Sequence, residues 1–181
     1  MIVPVEKKFT KIEEQRRKLL EEISKLTHEQ QNFKPAPESW SIAQVLNHLI
    51  YAETNSVKYM QKKLQGVAAE PKSGIKEVFR SIMLNMFLRL PVKYKAPKAA
   101  LPVQEEVYIF ENLKTQWEGI RAEIKKILDQ LDAASTEKLI FKHPIVGKFN
   151  IYQTMSFLVE HIEHHKKQIG RIKAERAFPA A

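Results

Sequence analysis

The stretch Glu160-His161-Ile162-Glu163-His164-His165 holds three imidazoles within five residues. An imidazole can ligate a metal, move a proton, or sit hydrogen-bonded in a core. Residues four apart share a helix face, so His161 and His165 can chelate one ion. The spacing resembles the histidine pair of a zincin helix, but Ile162 stands where that motif needs a Glu. A zincin protease is disfavoured. Ile151, Met155, Leu158, Ile162, Ile169 and Ile172 define the apolar direction of this helix. At 100° per residue, His165 lies about 40° from that midline, His161 about 80° on the same side, and His164 about 140° away, toward solvent. The wheel selects the pair four residues apart. It leaves open whether the pair chelates a metal or forms an ordinary polar part of the core.

A third ligand has to come from another helix, and His48 is the best placed. It flanks the Val45 and Ala52 edge of its own apolar stripe, where the small Ala52 leaves room for an ion. Taken alone, it reads as a boundary histidine. Glu53 lies near the centre of that stripe, and a carboxylate there needs a partner or a metal. It is the candidate catalytic base, fourth ligand or outer hydrogen-bond acceptor; the plainer reading is an ion pair with Arg16 or a lysine. His143 precedes Pro144 in a loop leading to the histidine helix. It is read as a structural loop residue that could reach the mouth of the site. His28 reads as exposed loop.

Bulk composition narrows the chemistry. The 181 residues include no cysteine, which excludes disulfides, a cysteine nucleophile and cysteine-ligated zinc. No secretory signal is evident, and no apolar run reaches the roughly 18 residues of a membrane span; the cytoplasm is the expected location. The net charge of +9 suits an anionic small-molecule substrate. Its lysines and arginines are scattered among Glu, without a nucleic-acid-binding signature, so nucleic acid is disfavoured as a partner.

The elements that must position these groups read as helices. The first spans about Pro4 to Leu26, with Phe9, Ile12, Leu19, Leu20, Ile23 and Leu26 in a stripe. The loop FKPAPESW follows. Ser41 and Gln44 then form a capping box, flanked by a Trp40–Val45 hydrophobic staple, and this second helix ends near Gly66. Ile75 to Leu90 is apolar over much of its circumference. It is read as a buried core helix, with Met83, Met86 and Phe87 as pocket candidates and a dimer face as the alternative. Pro91, Pro97 and Pro102 mark an extended loop. A further helix covers about Glu105 to Leu131 on Leu113, Trp117, Ile120, Ile124, Ile127 and Leu131. Asn150 with Gln153 caps the last, which runs to about Lys173, and the tail AFPAA is expected to fray. The fold class is all-α: one domain over residues 1–181, an up-down four-helix bundle with an accessory helix around residues 75–90. No strand alternation is evident.

The segments ESWSIAQVLNHLIYAE, HPIVGKFNIYQ and HIEHHKKQIGRI, in that order and spacing, resemble the DinB/YfiT-like superfamily of metal-binding bundles. The resemblance covers nearly the whole chain and is weakest from 66 to 103. It implies a metal site of His48, His161 and His165 holding zinc or nickel, frequent homodimers, and functions that differ between members. Some are S-transferases using bacillithiol or related low-molecular-weight thiols, one branch includes a mycothiol-dependent isomerase, and many are labelled metal-dependent hydrolases. Two classes of function follow. One is a divalent-metal enzyme, a thiol S-transferase or a hydrolase with Glu53 as candidate base. The other is a non-catalytic metal-binding or helical interaction module.

Overall fold

The computed structural model describes residues 2–90 and 101–180, so Pro91 and Pro97 of the expected loop lie outside the described residues. Six α-helices and one short hairpin follow one another: α1 (Val3–Ser24), α2 (His28–Asn32), α3 (Ile42–Leu64), α4 (Ile75–Arg89), α5 (Phe110–Gln130), β1 (Phe141–His143), β2 (Gly147–Phe149) and α6 (Ile151–Lys173). The four long helices make the bundle. α1 packs on α6 and α5, and α3 packs on the same two. The ring order is therefore α1–α5–α3–α6, with the first two long helices across its diagonal.

Local chemistry sets where the site-bearing helices begin. Ser41 Oγ accepts from the Gln44 amide at 3.1 Å while Gln44 Oε1 accepts from the Ser41 amide at 3.1 Å. Asn150 and Gln153 repeat the arrangement at the start of α6. Two orphan donors are satisfied reciprocally at each start. Ile42, Val45, Leu46, Leu49, Ile151, Met155, Leu158 and Ile162 then carry both helices into the core.

Several sequence expectations need correction. The segment after α1 contains the short helix α2, started by a third capping box between Thr27 and Gln30. The helix expected from Glu105 starts at Phe110. The residues before it are held elsewhere: Asn32 Oδ1 accepts from the Tyr108 amide at 2.8 Å, and Gln44 Nε2 donates to the Glu105 carbonyl at 2.9 Å. The loop before α6 forms the antiparallel pair β1–β2, with His143 opposite Gly147. Gly147 closes that turn at φ 93°, a backbone conformation that strains any other residue. The tail does not fray throughout: Phe178 stands edge-on to Phe33 at 5.6 Å, and the Pro179 carbonyl accepts from Gln30 Nε2 at 2.9 Å.

The largest correction concerns α4, which is not a core helix. Only Ser81 and Leu84 of it are buried, whereas Ile75 is 90% exposed, Phe79 64% and Met86 57%. Met83 and Phe87, the other expected pocket residues, are also exposed. The helix lies against α6 with its apolar stripe outward. Its C-terminal end is tied down by polar groups. Arg89 donates two hydrogen bonds to Glu160 at 2.6 and 2.9 Å, and Lys167 Nζ donates to the Arg89 carbonyl at 3.0 Å.

Candidate metal centre

α3 and α6 pack together and bring three imidazoles to one point. His48, His161 and His165 are each buried, and their ligand-capable nitrogens lie within 4.8 Å of one another. His161 Nε2 is 3.3 Å from His48 Nε2 and 3.1 Å from His165 Nε2. Nitrogens bound about 2.05 Å from a tetrahedral zinc are separated by about 3.3 Å. The two separations that involve His161 match that spacing, and all three ligand nitrogens lie within 4.8 Å.

Hydrogen bonding alone does not account for the cluster. A ring nitrogen carries either one proton or one lone pair. His161 Nε2 faces two neighbouring ring nitrogens, so at most one proton can be shared, in a forked bond. Nδ1 of His48 and Nδ1 of His161 are buried with no hydrogen-bond partner. A cation among the Nε2 atoms would engage the lone pairs that a single shared proton leaves facing one another; the two Nδ1 atoms would then carry their rings' protons.

Aromatic rings and one amide hold the imidazoles. Trp40 lies 5.2 Å from the His48 ring, and Phe157 stacks on His161 at 5.0 Å between centroids. Gln168 Oε1 is 2.8 Å from His165 Nδ1. It can accept the proton there and leave the Nε2 lone pair facing the cluster. Gln168 was missed in the sequence. Its signal is the three-residue spacing from His165 on a helix.

Burial depresses all three imidazoles. It takes His48 to about 4, with help from His164, and His165 to about 3, with help from His48. His161 lies well below the ordinary value, first through burial and then through its two neighbours. Each ring is therefore neutral at pH 7, the form that ligates metal. In the metal-free chain, stability is full above pH 6.5, where the unfolded chain is also neutral. Below that, the unfolded chain takes up protons that the folded cluster refuses, and stability falls as the pH drops toward 3. Urea midpoints of the metal-free protein should decline from pH 7.5 to 5. A variant with all three histidines replaced by alanine should show a much shallower decline, and equal slopes would refute the assignment.

The other candidates sit apart from the cluster. Glu53 is buried, and its carboxylate accepts from Trp117 Nε1 at 3.0 Å and from Arg121 Nη2 at 2.7 Å. Its partner is thus Arg121 on α5, not Arg16 or a lysine; Arg16 bonds Glu13 within its own helix at 2.9 Å. Burial pushes the Glu53 carboxyl up, while the Arg121 charge and the Trp117 hydrogen bond pull it back. His143 is buried in the hairpin, its Nδ1 accepting from the amides of Ile145 at 3.2 Å and Val146 at 3.4 Å. Its ring meets Phe157 edge-on at 4.8 Å, which places it one ring from His161. Burial lowers it to about 4. His164 is half-buried instead of solvent-facing, with Nδ1 3.0 Å from the Leu88 carbonyl, because α4 lies on that side of α6. His28 is exposed, at the first turn of α2.

The family model described as the DinB superfamily matches residues 11–169. The chain belongs to the DinB superfamily. A similar protein is YuaE of Bacillus subtilis strain 168, an uncharacterised protein 24% identical over 152 residues, 84% of this chain and 88% of that one. Among solved structures, YfiT from Bacillus subtilis aligns with a TM-score of 0.64 at 15% identity, over 97% of this chain and 89% of its own. YfiT is described as a probable metal-dependent hydrolase with an unusual four-helix bundle topology. At that identity the likeness establishes the fold alone, a four-helix bundle.

Proposed function

We propose that this DinB superfamily chain is a divalent-metal-dependent enzyme in which His48, His161 and His165 hold one zinc or nickel ion. The observation that carries the reading is the convergence of three buried imidazoles within 4.8 Å, with His161 Nε2 at 3.3 Å from His48 Nε2 and 3.1 Å from His165 Nε2. Three neutral nitrogens leave a coordination position open, as catalytic zinc sites do, whereas structural sites fill four. An ion held there acts as a Lewis acid, activating water or a thiol and polarising a carbonyl. The residues supply the rest. Trp40 and Phe157 fix the rings and keep bulk water off them, and Gln168 sets the His165 tautomer.

The hydrolytic reading comes first, supported by the description of YfiT. Thiol S-transfer is the second reading, supported by two observations. The cluster contains no carboxylate among the described residues, and an ion held by the three histidines would favour the ionised form of a thiol without a separate base. The net charge of +9 also favours an anionic cosubstrate. Glu53 enters either reading as a residue that fixes α3 against α5.

The test uses untagged protein loaded with zinc or nickel. A p-nitrophenyl ester probes hydrolysis, and a low-molecular-weight thiol with monobromobimane probes transfer. One probe should give a rate above that of the free ion, lost with a chelator and restored by metal. Tight metal binding without such a rate on either probe would leave a non-catalytic metal-binding module in place of the enzyme.

A further inference from the structure

Apolar side chains and cations meet on the outward side of α4. Ile75, Val78, Phe79, Ile82, Met83 and Met86 are 48–90% exposed, and at 100° per residue they fall within an arc of about 140°. The residues α4 buries, Ser81 and Leu84, lie opposite that arc, which inverts the usual amphipathic arrangement. Lys76 lies about 20° beyond the Met83 edge of the arc and Arg80 about 60° beyond it. Neither has an ion-pair partner among the described residues. The one carboxylate of α4, Glu77, lies on the far side of the wheel and accepts from the Gly74 amide at 2.9 Å. The hairpin extends the same surface. Arg80 Nη1 stands 3.3 Å from the place a Cβ would take on Gly147, and in the turn that this glycine closes, Ile145 is 52% exposed.

We propose that this side of α4, with Ile145 of the hairpin, is a peripheral docking surface for an anionic lipid bilayer. Charge decides the occupant. A helix lying in the membrane interface sinks its apolar face to the boundary of headgroups and acyl chains and holds lysines and arginines at the level of the anionic headgroups. Lys76 and Arg80 at the edge of the apolar arc have that disposition. A second copy of this chain would bring the same two cations to that edge and no carboxylate, because Glu77 is on the far side. The contact is peripheral, since no helix among the described residues is long and apolar enough to cross a membrane. The polar ties from Arg89 to Glu160 and from Lys167 to the Arg89 carbonyl fix α4 on α6 beforehand, so little chain entropy is lost on docking.

The full chain should co-sediment with vesicles of phosphatidylcholine mixed with phosphatidylglycerol and not with vesicles of phosphatidylcholine alone, and added salt should weaken the binding. Lys76→Gln with Arg80→Gln should lower the partition coefficient by roughly 25-fold, about fivefold for each cation at the surface. Phe79→Ser should lower it by roughly tenfold through the apolar contact. Far-UV circular dichroism of the Phe79→Ser chain should not change, because Phe79 is 64% exposed. Any of four results would overturn the proposal: no binding to either vesicle, equal binding to both, binding that neither variant weakens, or a dimer that Phe79→Ser dissociates and that leaves the vesicles unbound.

Discussion

Alanine in place of His161 is expected to leave the chain folded and unable to hold zinc or nickel. His161 Nε2 is the atom common to both close contacts of the cluster, so its loss leaves two nitrogens with no bridge between them. Removing an outer hydrogen bond from a metal site costs roughly 10–100-fold in affinity, and removing a ligand must cost more. Stability gives a readout independent of activity. Metal at about 1,000 times its dissociation constant stabilises the wild-type fold by about 4 kcal/mol. For a chain of this size that raises Tm by roughly 8–16 °C. The metal-free His161→Ala protein should lie about 1–3 kcal/mol below the metal-free wild type, because the ring leaves a space against Phe157. Added metal should then no longer move its Tm. Stoichiometric metal in the variant, or a wild-type Tm indifferent to metal, would remove these residues as ligands.

The parts of this site that were legible in the sequence are those determined within a single helix. Ser41 with Gln44 and Asn150 with Gln153 announce the two helix starts because a capping box is a local exchange of two hydrogen bonds. The same box at Thr27 and Gln30 was overlooked because only five residues follow it. The wheel turned His161 and His165 inward, and both are buried. It left His48 marginal because a wheel sees only its own helix, and the groups that enclose His48 are Trp40 and the α6 histidines. The residues made His48 the best-placed third candidate, and the family resemblance gave it most of its support. The wheel also turned His164 to solvent, correctly for the bundle core, but α4 occupies that side. Apolar periodicity identified the α4 stripe without saying what covers it, since a pattern records a face that avoids water and not its partner. The hairpin of three-residue strands is too short for alternation to register.

Glu53 shows the same limit, and its partner gives the second large expected effect. Its central place in the α3 stripe required a counter-charge, and that charge is Arg121, four residues beyond Trp117 on the buried side of α5. Both members of the pair are almost fully buried, at 1% and 2%. Arg121→Met should therefore destabilise the fold by about 3–5 kcal/mol, because it leaves a buried carboxylate with only the Trp117 donor. At 2–4 °C per kcal/mol, Tm falls by roughly 6–20 °C. The lower part of that range is favoured, since Nε and Nη1 of Arg121 have no hydrogen-bond partner and Nη1 reaches only the Glu13 carboxylate, at 3.5 Å. Replacing both residues, Glu53→Leu with Arg121→Met, should recover most of the loss, as exchange of a whole buried pair for apolar groups often does. Metal affinity should be unchanged in the double variant, because the Glu53 carboxylate is not among the converging ligand atoms. If instead the double variant is stable but binds metal far more weakly, Glu53 serves the ion, and its contact with Arg121 and Trp117 is the outer support of a ligand. Thermal melts with and without metal on the single and double variants separate the two roles: a pair that only braces α3 against α5 changes Tm equally in both series, and a ligand changes the gap between them.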